Sequence, residues 1–380
     1  MLDNGTKLND AEISRTLEPL QKRWKHYRFL NQITNILLCF GPMAFIFGGM
    51  LFYNHMWEIY RFFPLALLAV ILLVGLTREW NRRCSKARKE YTTTYKRLVS
   101  RPVLASCFDN ARFDPDAGYT REEFQASGLM HITYNNTYAS EDLITGSYQG
   151  CNFRRADIQI THMSGGKHPH MVVDADGRLL EIELKREIDG VVKIVKESQT
   201  MALFDKSLAD SMVETEDMEF NQKFNVYARD RHSAFYLLTP QFMEYIKQLY
   251  DRDDKIYITF DGEKLYFLQS GHGGIFEPPD GKLDIQKEVR KSRAELAEIG
   301  RIIDLLGGGL SERAGRTQSD EQKLNHSEWM KEADDIEREM KKASGGGSAA
   351  GEKLKMVILV VFVIGFVPFV MFLLSLLGKK

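Results

Sequence analysis

The sequence predicts an α+β protein: a mostly antiparallel sheet with inserted helices, preceded by an N-terminal transmembrane helical hairpin and followed by a C-terminal transmembrane helix. Three observations lead there. Three long runs are apolar and uncharged. Between the second and third, once a basic segment and a polar linker are set aside, roughly 200 residues remain, enough for one compact domain. Within that domain short β-branched and aromatic runs alternate with turn residues and helix caps, the pattern of strands with a few helices between them.

Residues 1–30 form a polar arm with no secretory signal. The first apolar run, residues 36–53 ("ILLCFGPMAFIFGGMLFY"), together with the preceding "NQITN" exceeds the roughly 20 residues a helix needs to cross about 30 Å of hydrocarbon. The second, residues 62–77, is extended by Trp57 and Tyr60 into an interfacial aromatic belt where Arg61 can snorkel. Only a short loop separates the two, so residues 31–77 are expected to form an antiparallel hairpin. Lys22, Arg23, Lys25 and Arg28 precede it; Arg78, Arg82, Arg83, Lys86, Arg88 and Lys89 follow; the connecting loop holds Arg61. The positive-inside bias therefore puts both ends in the cytoplasm, with residues 78–100 as a basic juxtamembrane helix. Residues 356–377 are uncharged and apolar, and segment 354–380 reads as a C-terminal anchor leading Lys379 and Lys380 out of the cytoplasm.

The cytoplasmic domain is expected over residues 101–306. Thr120 precedes a short capped helix carrying Phe124. Strands follow at 142–150 and 152–161, turning near Gly150. Residues 171–174 and 179–185 flank "ADGR", in which Asp176 and Gly177 suit a hairpin turn; a strand at 191–195 follows Asp189 and Gly190, and "DGE" at 261–263 reads as a second hairpin turn between 256–260 and 264–268. In "FNVYARDRHSAFYLLTPQF" (224–242), Phe224, Val226 and Ala228 alternate as a strand. Asp230 stands as the cap of a short helix, and Thr239-Pro240 opens another, whose apolar face is Phe242, Ile246 and Leu249. Arg229, Arg231 and His232 are the residues of this stretch free for binding. Ile285, Val289, Ser292, Leu296, Ile299, Ile303 and Leu306 recur at alternating steps of four and three, a helix with a narrow seam that could pack on its own domain or on a second copy; Val289, Leu296, Ile299 and Ile303 would carry an oligomeric contact. Gly307, Gly308 and Gly309 are expected to end it. A polar linker, 307–353, then contains the flexible "SGGGSAAG".

Three stretches, "TGSYQGCNFRRADI", "EDMEFNQKFNVYARDRHSAFYLLTPQFMEYI" and "KIYITFDGEKLYF", in this order and spacing, resemble the bacterial domain-of-unknown-function family 3137 over roughly residues 90–306. The resemblance implies a bacterial source, a shared fold and a membrane-anchored plan in which a helical pair precedes the domain. It implies no catalytic residue.

The 51 basic and 52 acidic residues nearly cancel, which argues against bulk nucleic-acid binding. Cys39, Cys84, Cys107 and Cys151 are widely spaced and suggest neither a disulfide framework nor a zinc site. His162, His168 and His170 in "THMSGGKHPH" are the candidate metal ligands, although Gly165, Gly166 and Pro169 read as an exposed turn that leaves a closed site incomplete. Asp174 and Asp176 open a calcium-loop pattern that fails at its twelfth position, Lys185. The glycine-rich stretch 269–279 lacks the Lys-Ser/Thr of a phosphate loop, and no serine elbow, HExxH or dinucleotide fingerprint occurs. No cofactor and no catalytic residue is expected. The sequence thus suggests a multi-pass protein of the bacterial inner membrane whose cytoplasmic module recruits a protein partner or assembles with itself. The alternatives are a membrane-associated enzyme acting on a lipid or nucleotide, and an accessory subunit of a transport or envelope-stress assembly.

Overall fold

Ile13, Leu17 and Trp24 lie on one stripe of a helix, as do Ala87, Tyr91 and Tyr95, and the two stripes meet. In a computed structural model of the chain, which describes residues 10–51, 63–197, 211–250, 255–270 and 276–310, they form the core between helix α1 (Asp10–Leu51) and helix α2 (Phe63–Tyr95). Trp24 stacks on Tyr91 at 6.0 Å between ring centroids. Gln21 Nε2 donates to Tyr91 Oη and to the carbonyls of Pro279 and Gly281, so the loop after the sheet is fastened to the helix pair. Farther along these helices the exposure reverses. Phe29, Ile33, Leu37 and Phe40 of α1 and Leu67, Ile71 and Leu72 of α2 are 37 to 59% exposed. At the start of this band Tyr27 packs on Trp80, and Arg83 lies over the Trp80 ring at 5.4 Å. Among the described residues no helix is long and apolar enough to cross a membrane. Residues 52–62, most of the linker (from 311) and the C-terminal segment 354–380 lie outside the described residues.

A π-helical turn (Lys96–Ser100) and helix α3 (Arg101–Cys107) carry the chain into the sheet. Its strands are β1 (Asp109–Asp114), β2 (Thr137–Tyr148), β3 (Cys151–Met163), β4 (Met171–Lys196), β5 (Met212–Val213), β6 (Phe224–Ala228) and β7 (Lys255–Ser270). Every pairing is antiparallel, which bears out the α+β reading. The path runs β1-β2-β3-β4-β6-β5, with β7 also paired to β4. Because Gly177 to Ile182 pair with both β3 and β7, and Val192 to Val195 with both β6 and β7, strands β3 and β6 lie end to end along one edge of β4 and β7 runs along the other. The turn between β2 and β3 is the two-residue reversal expected near Gly150: Gln149 and Gly150 both have positive φ, 50° and 77°.

Two expected hairpins are absent. Gly177 is extended and pairs with Ile158 and Ser270, so β4 passes straight through "ADGR". Likewise β7 continues through "DGE", where Gly262 has φ 57° and the register shifts opposite Ile188. The positive φ that suits Gly to a tight turn serves a bulge equally well. Partner strands on both sides hold β4 straight at Gly177, while β7, paired with β4 alone, bends at Gly262 instead of reversing.

Helices complete two cores. On one face lie α3, helix α6 (Arg231–Leu237), helix α7 (Pro240–Tyr250) and helix α8 (Ile285–Leu310). On the other, Tyr119, Leu129 and Ile132 flank helix α4 (Arg121–Ala126), whose Phe124 is fully buried. The α4 cap is as expected: Thr120 Oγ1 accepts from the Glu123 amide while the Glu123 carboxylate accepts from the Thr120 amide. Helix α5 (Met218–Lys223) precedes β6. Asp230 accepts from the amides of His232 and Ser233, and Thr239 Oγ1 accepts from the Phe242 amide.

The seam of α8 packs on its own domain, one of the two packings that its spacing allowed. Leu296, Ile299 and Ile303 are at most 2% exposed within the domain's own core, and Val289 packs between this core and the helix-pair core. The helix also continues through Gly307, Gly308 and Gly309 to Leu310.

Candidate functional site

The end of the β3–β4 hairpin is where polar chemistry collects. Met163 pairs with Met171, and the Ser164 amide donates to the His170 carbonyl at 2.8 Å, closing a loop in which Gly166 holds φ 118°, a value that favours glycine. One step inward the register shifts between Ile160 and Thr161, leaving Asp174 as the additional residue of β4. A bulge of this kind re-aims a side chain. Here the Asp174 carboxylate meets His162 Nδ1 at 2.8 and 2.9 Å. A carboxylate can only accept, so Nδ1 carries the proton and Nε2 is left for a ligand.

The third participant comes from the coil after α4. Asn136 Nδ2 donates to Asp174 at 2.8 Å, and Asn136 Oδ1 accepts from the Thr133 amide and hydroxyl at 2.8 and 2.9 Å. Arg121 donates to the carbonyls of Thr133 and Asn136, fixing that turn. The result is a cleft of about 310 Å³ in which Met130, Ile132 and Met163 supply apolar wall and Thr133, Asn136 and His162 supply polar groups. It can bind a small group or a side chain by one imidazole hydrogen bond and apolar contact, and an oriented imidazole can also accept or deliver a proton.

Two further polar centres tie layers together. Lys96, from the π-turn, meets the Asp142 carboxylate at 2.5 and 2.7 Å, both side chains at most 8% exposed. Burial pushes the Asp142 carboxyl up to about 7 although Lys96 pulls it down. Under α8, the fully buried Arg155 donates to the Glu295 carbonyl at 3.1 Å and faces Glu298 at 3.7 Å, while Arg178 faces Glu295. Burial lowers the pKa of Arg155.

The residues singled out in the sequence fare differently. Arg229, Arg231 and His232 are exposed beside the Asp230 cap, outside the cleft lining. His162 reaches the cleft. His170 Nδ1 lies 2.8 Å from Ser164 Oγ, and His168 is exposed in the loop. The three histidines do not converge, and among the described residues no group of three or more His, Cys, Asp or Glu is placed to hold a metal. The cause is strand geometry: His162 sits in the sheet and faces Asp174, while the other two belong to the loop beyond it. Asn136 and Thr133 escaped sequence reasoning, and Asp174 was weighed only for calcium. Centring the hairpin on Lys167 would have put His162 opposite Val172, one short step from Asp174, but the bulge that turns Asp174 inward has no local sequence signal.

Residues 175–307 match the family model described as "Protein of unknown function (DUF3137)", which supports the resemblance to that family. The match includes the "VYARD" strand and the "LTP" helix start; the first of the three resembling stretches precedes it. No curated protein matches the chain. Among solved structures, the crystal structure of the mycobacterial trehalose monomycolate transport factor A, TtfA, is similar at 8% identity, covering 57% of this chain and 96% of that one with a TM-score of 0.31, a likeness too low to carry an argument.

Proposed function

We propose that this chain is a membrane-anchored binding module. Its helical pair sits in the bacterial inner membrane, with a third anchor in residues 354–380, and its α+β domain recruits a protein partner on the cytoplasmic side. One observation carries the reading: the band of exposed leucine, isoleucine and phenylalanine on α1 and α2, continuous with apolar runs that extend beyond the described residues. Apolar exposure on this scale is uncommon on a soluble surface and marks contact with lipid or protein. The basic and aromatic residues where the band begins, Tyr27, Trp80, Arg82 and Arg83, suit the headgroup region. The sheet domain is fastened to the same helices through Gln21, Tyr95 and Lys96, so a partner held by the domain is held at the membrane.

In-cell crosslinking followed by purification in mild detergent tests it. The expected result is recovery from the membrane fraction with a reproducible crosslinked protein. Release by alkaline carbonate, or a solitary monomer after crosslinking, would contradict it. The oriented His162–Asp174 pair in an apolar cleft favours a second reading, a membrane-associated enzyme on a lipid or nucleotide. That reading requires turnover lost in His162→Gln while membrane association is retained.

A further inference from the structure

Helix α6 buries only a narrow stripe of itself. Ala234 and Leu237, three residues apart, enter the core, and the opposite face leaves Arg231, His232, Phe235 and Tyr236 exposed. Residues four apart on a helix stand one above the other, so Arg231 neighbours Phe235 and His232 neighbours Tyr236. The two rings are 48% and 39% exposed, although aromatic side chains ordinarily go inside. Strand β4 widens this surface. Its bulged stretch, where the register to β7 shifts on both sides of Ile188, sends Arg186 over the Tyr236 ring at 4.9 Å. Ser233 Oγ lies 3.2 Å from the Asp189 carbonyl, which fixes α6 to the same stretch. Each ring therefore has its own arginine. Among the described residues no carboxylate lies within ion-pair distance of Arg186, Arg229 or Arg231. The nearest in sequence, Asp230, is occupied by the amides of His232 and Ser233.

We propose that the exposed face of α6, with Arg186 from β4, is the surface on which the domain docks an acidic segment of its protein partner, a stretch that carries Asp or Glu beside an apolar side chain. The inference rests on the recruitment reading above and names where, and by what chemistry, the partner is held. Aromatic rings and arginine are the residues that dominate the free energy of protein contacts. A planar guanidinium with no carboxylate of its own chain to meet is matched by a carboxylate in two-point geometry. Phe235 and Tyr236 take the apolar side chain, and Arg186 and Arg231 take the carboxylates. Charge decides against two other anions. Glu187 and Asp189 are exposed on the same bulge, so a continuous polyphosphate or an anionic bilayer would be pressed against them. A polypeptide places its carboxylates at the arginines alone.

The test repeats the in-cell crosslinking of the full-length protein with photoreactive benzoylphenylalanine in place of Phe235 and, as a control, in place of Tyr134, which is 92% exposed on the coil that covers the opposite face of the sheet. A protein captured at 235 and not at 134 is expected, with the attachment mapped by mass spectrometry to a segment rich in Asp or Glu. That segment, made as a labelled peptide, is titrated by fluorescence anisotropy against the full-length protein in detergent. Arg186→Glu/Arg231→Glu should weaken binding at least about tenfold, and the native affinity should fall as salt is raised. Glu in the first turn of a helix suits the dipole, so Arg231→Glu leaves α6 folded. Phe235→Ser keeps every charge and should weaken binding as well. Capture at 134 but not at 235 leaves recruitment standing and overturns this surface. Attachment to a lipid or to a segment without acidic residues overturns it too, as does an affinity unchanged by the double charge reversal. If neither position captures a protein while the general crosslinker still yields one, this surface falls alone; if that crosslinker also yields none, the recruitment reading falls with it.

Discussion

Asp142→Asn probes the joint between the helix pair and the sheet, where Lys96 and Asp142 are buried together. Asp142 sits at φ 61°, a region that Asn tolerates as well as Asp, so the substitution removes the charge without straining the backbone. The carboxyl titrates near 7 in the folded chain against 3.8 as an ordinary Asp, because the penalty of burial outweighs the pull of Lys96. An acid with a raised pKa binds its proton more tightly when folded. Its stability term is full below 3.8 and is lost as the pH rises through about 7. One pKa unit corresponds to about 1.4 kcal/mol, so between pH 5 and pH 7 this group alone should remove about 2 kcal/mol. Denaturant unfolding of the full chain in detergent, followed by tryptophan fluorescence at both pH values, measures it. The slope with pH for the native protein minus that for Asp142→Asn should equal this loss, other titrating groups cancelling. At pH 7 the variant should lose no more than about 1 kcal/mol, the scale of one hydrogen bond. If instead Lys96 dominates, the slope reverses and the variant loses about 3 to 5 kcal/mol by leaving a buried ammonium without its counter-charge. That outcome would refute the reasoning.

Other substitutions test the fold and its corrections. Leu296→Ala should cost about 2 to 5 kcal/mol through the cavity it leaves, with the oligomeric state unchanged in light scattering; dissociation of an oligomer instead would restore the seam as an interface. Thr120→Ala breaks the capping box of α4 and should lower stability by about 0.5 to 2 kcal/mol in the same unfolding assay. Asp230→Ala should cost a similar amount at α6, whereas Arg229→Ala and Arg231→Ala should stay within about 0.5 kcal/mol of the native value. Gly118→Ala should be the most damaging of these in expression and melting temperature, because a Cβ there would lie 2.5 Å from the Ser140 carbonyl carbon.

What was legible in the sequence was local. Caps announced α4, α6 and α7 through Thr120, Asp230 and Thr239, each side chain bonding an amide two or three residues ahead. Alternation found the β2–β3 hairpin, and Gln149-Gly150 turned as such residues do. What was not legible depended on partners distant in the chain. Whether Asp176-Gly177 turns or stays extended is decided by Ile158 and Ser270 on either side of it. The inward turn of Asp174 follows from a register shift, and Asn136 meets it only because the coil after α4 crosses the sheet end. The strand Phe224–Ala228 looked one-sided by its alternation. It is buried on both faces, Tyr227 entering the second core, because helices cover one side and the α4 coil the other. The seam of α8 had the spacing of an interface and serves as core, since periodicity specifies an apolar face but not what covers it.

In the proposed function the chain enters the membrane and leaves its sheet domain on the cytoplasmic side, and the exposed loop residue Lys167 tests this directly. Intact cells expressing Lys167→Cys in a background lacking the four native cysteines are treated with a membrane-impermeant maleimide before and after permeabilisation. The account predicts protein in the membrane pellet that resists carbonate and is labelled only after permeabilisation. Labelling in intact cells, or protein in the soluble fraction, would contradict it.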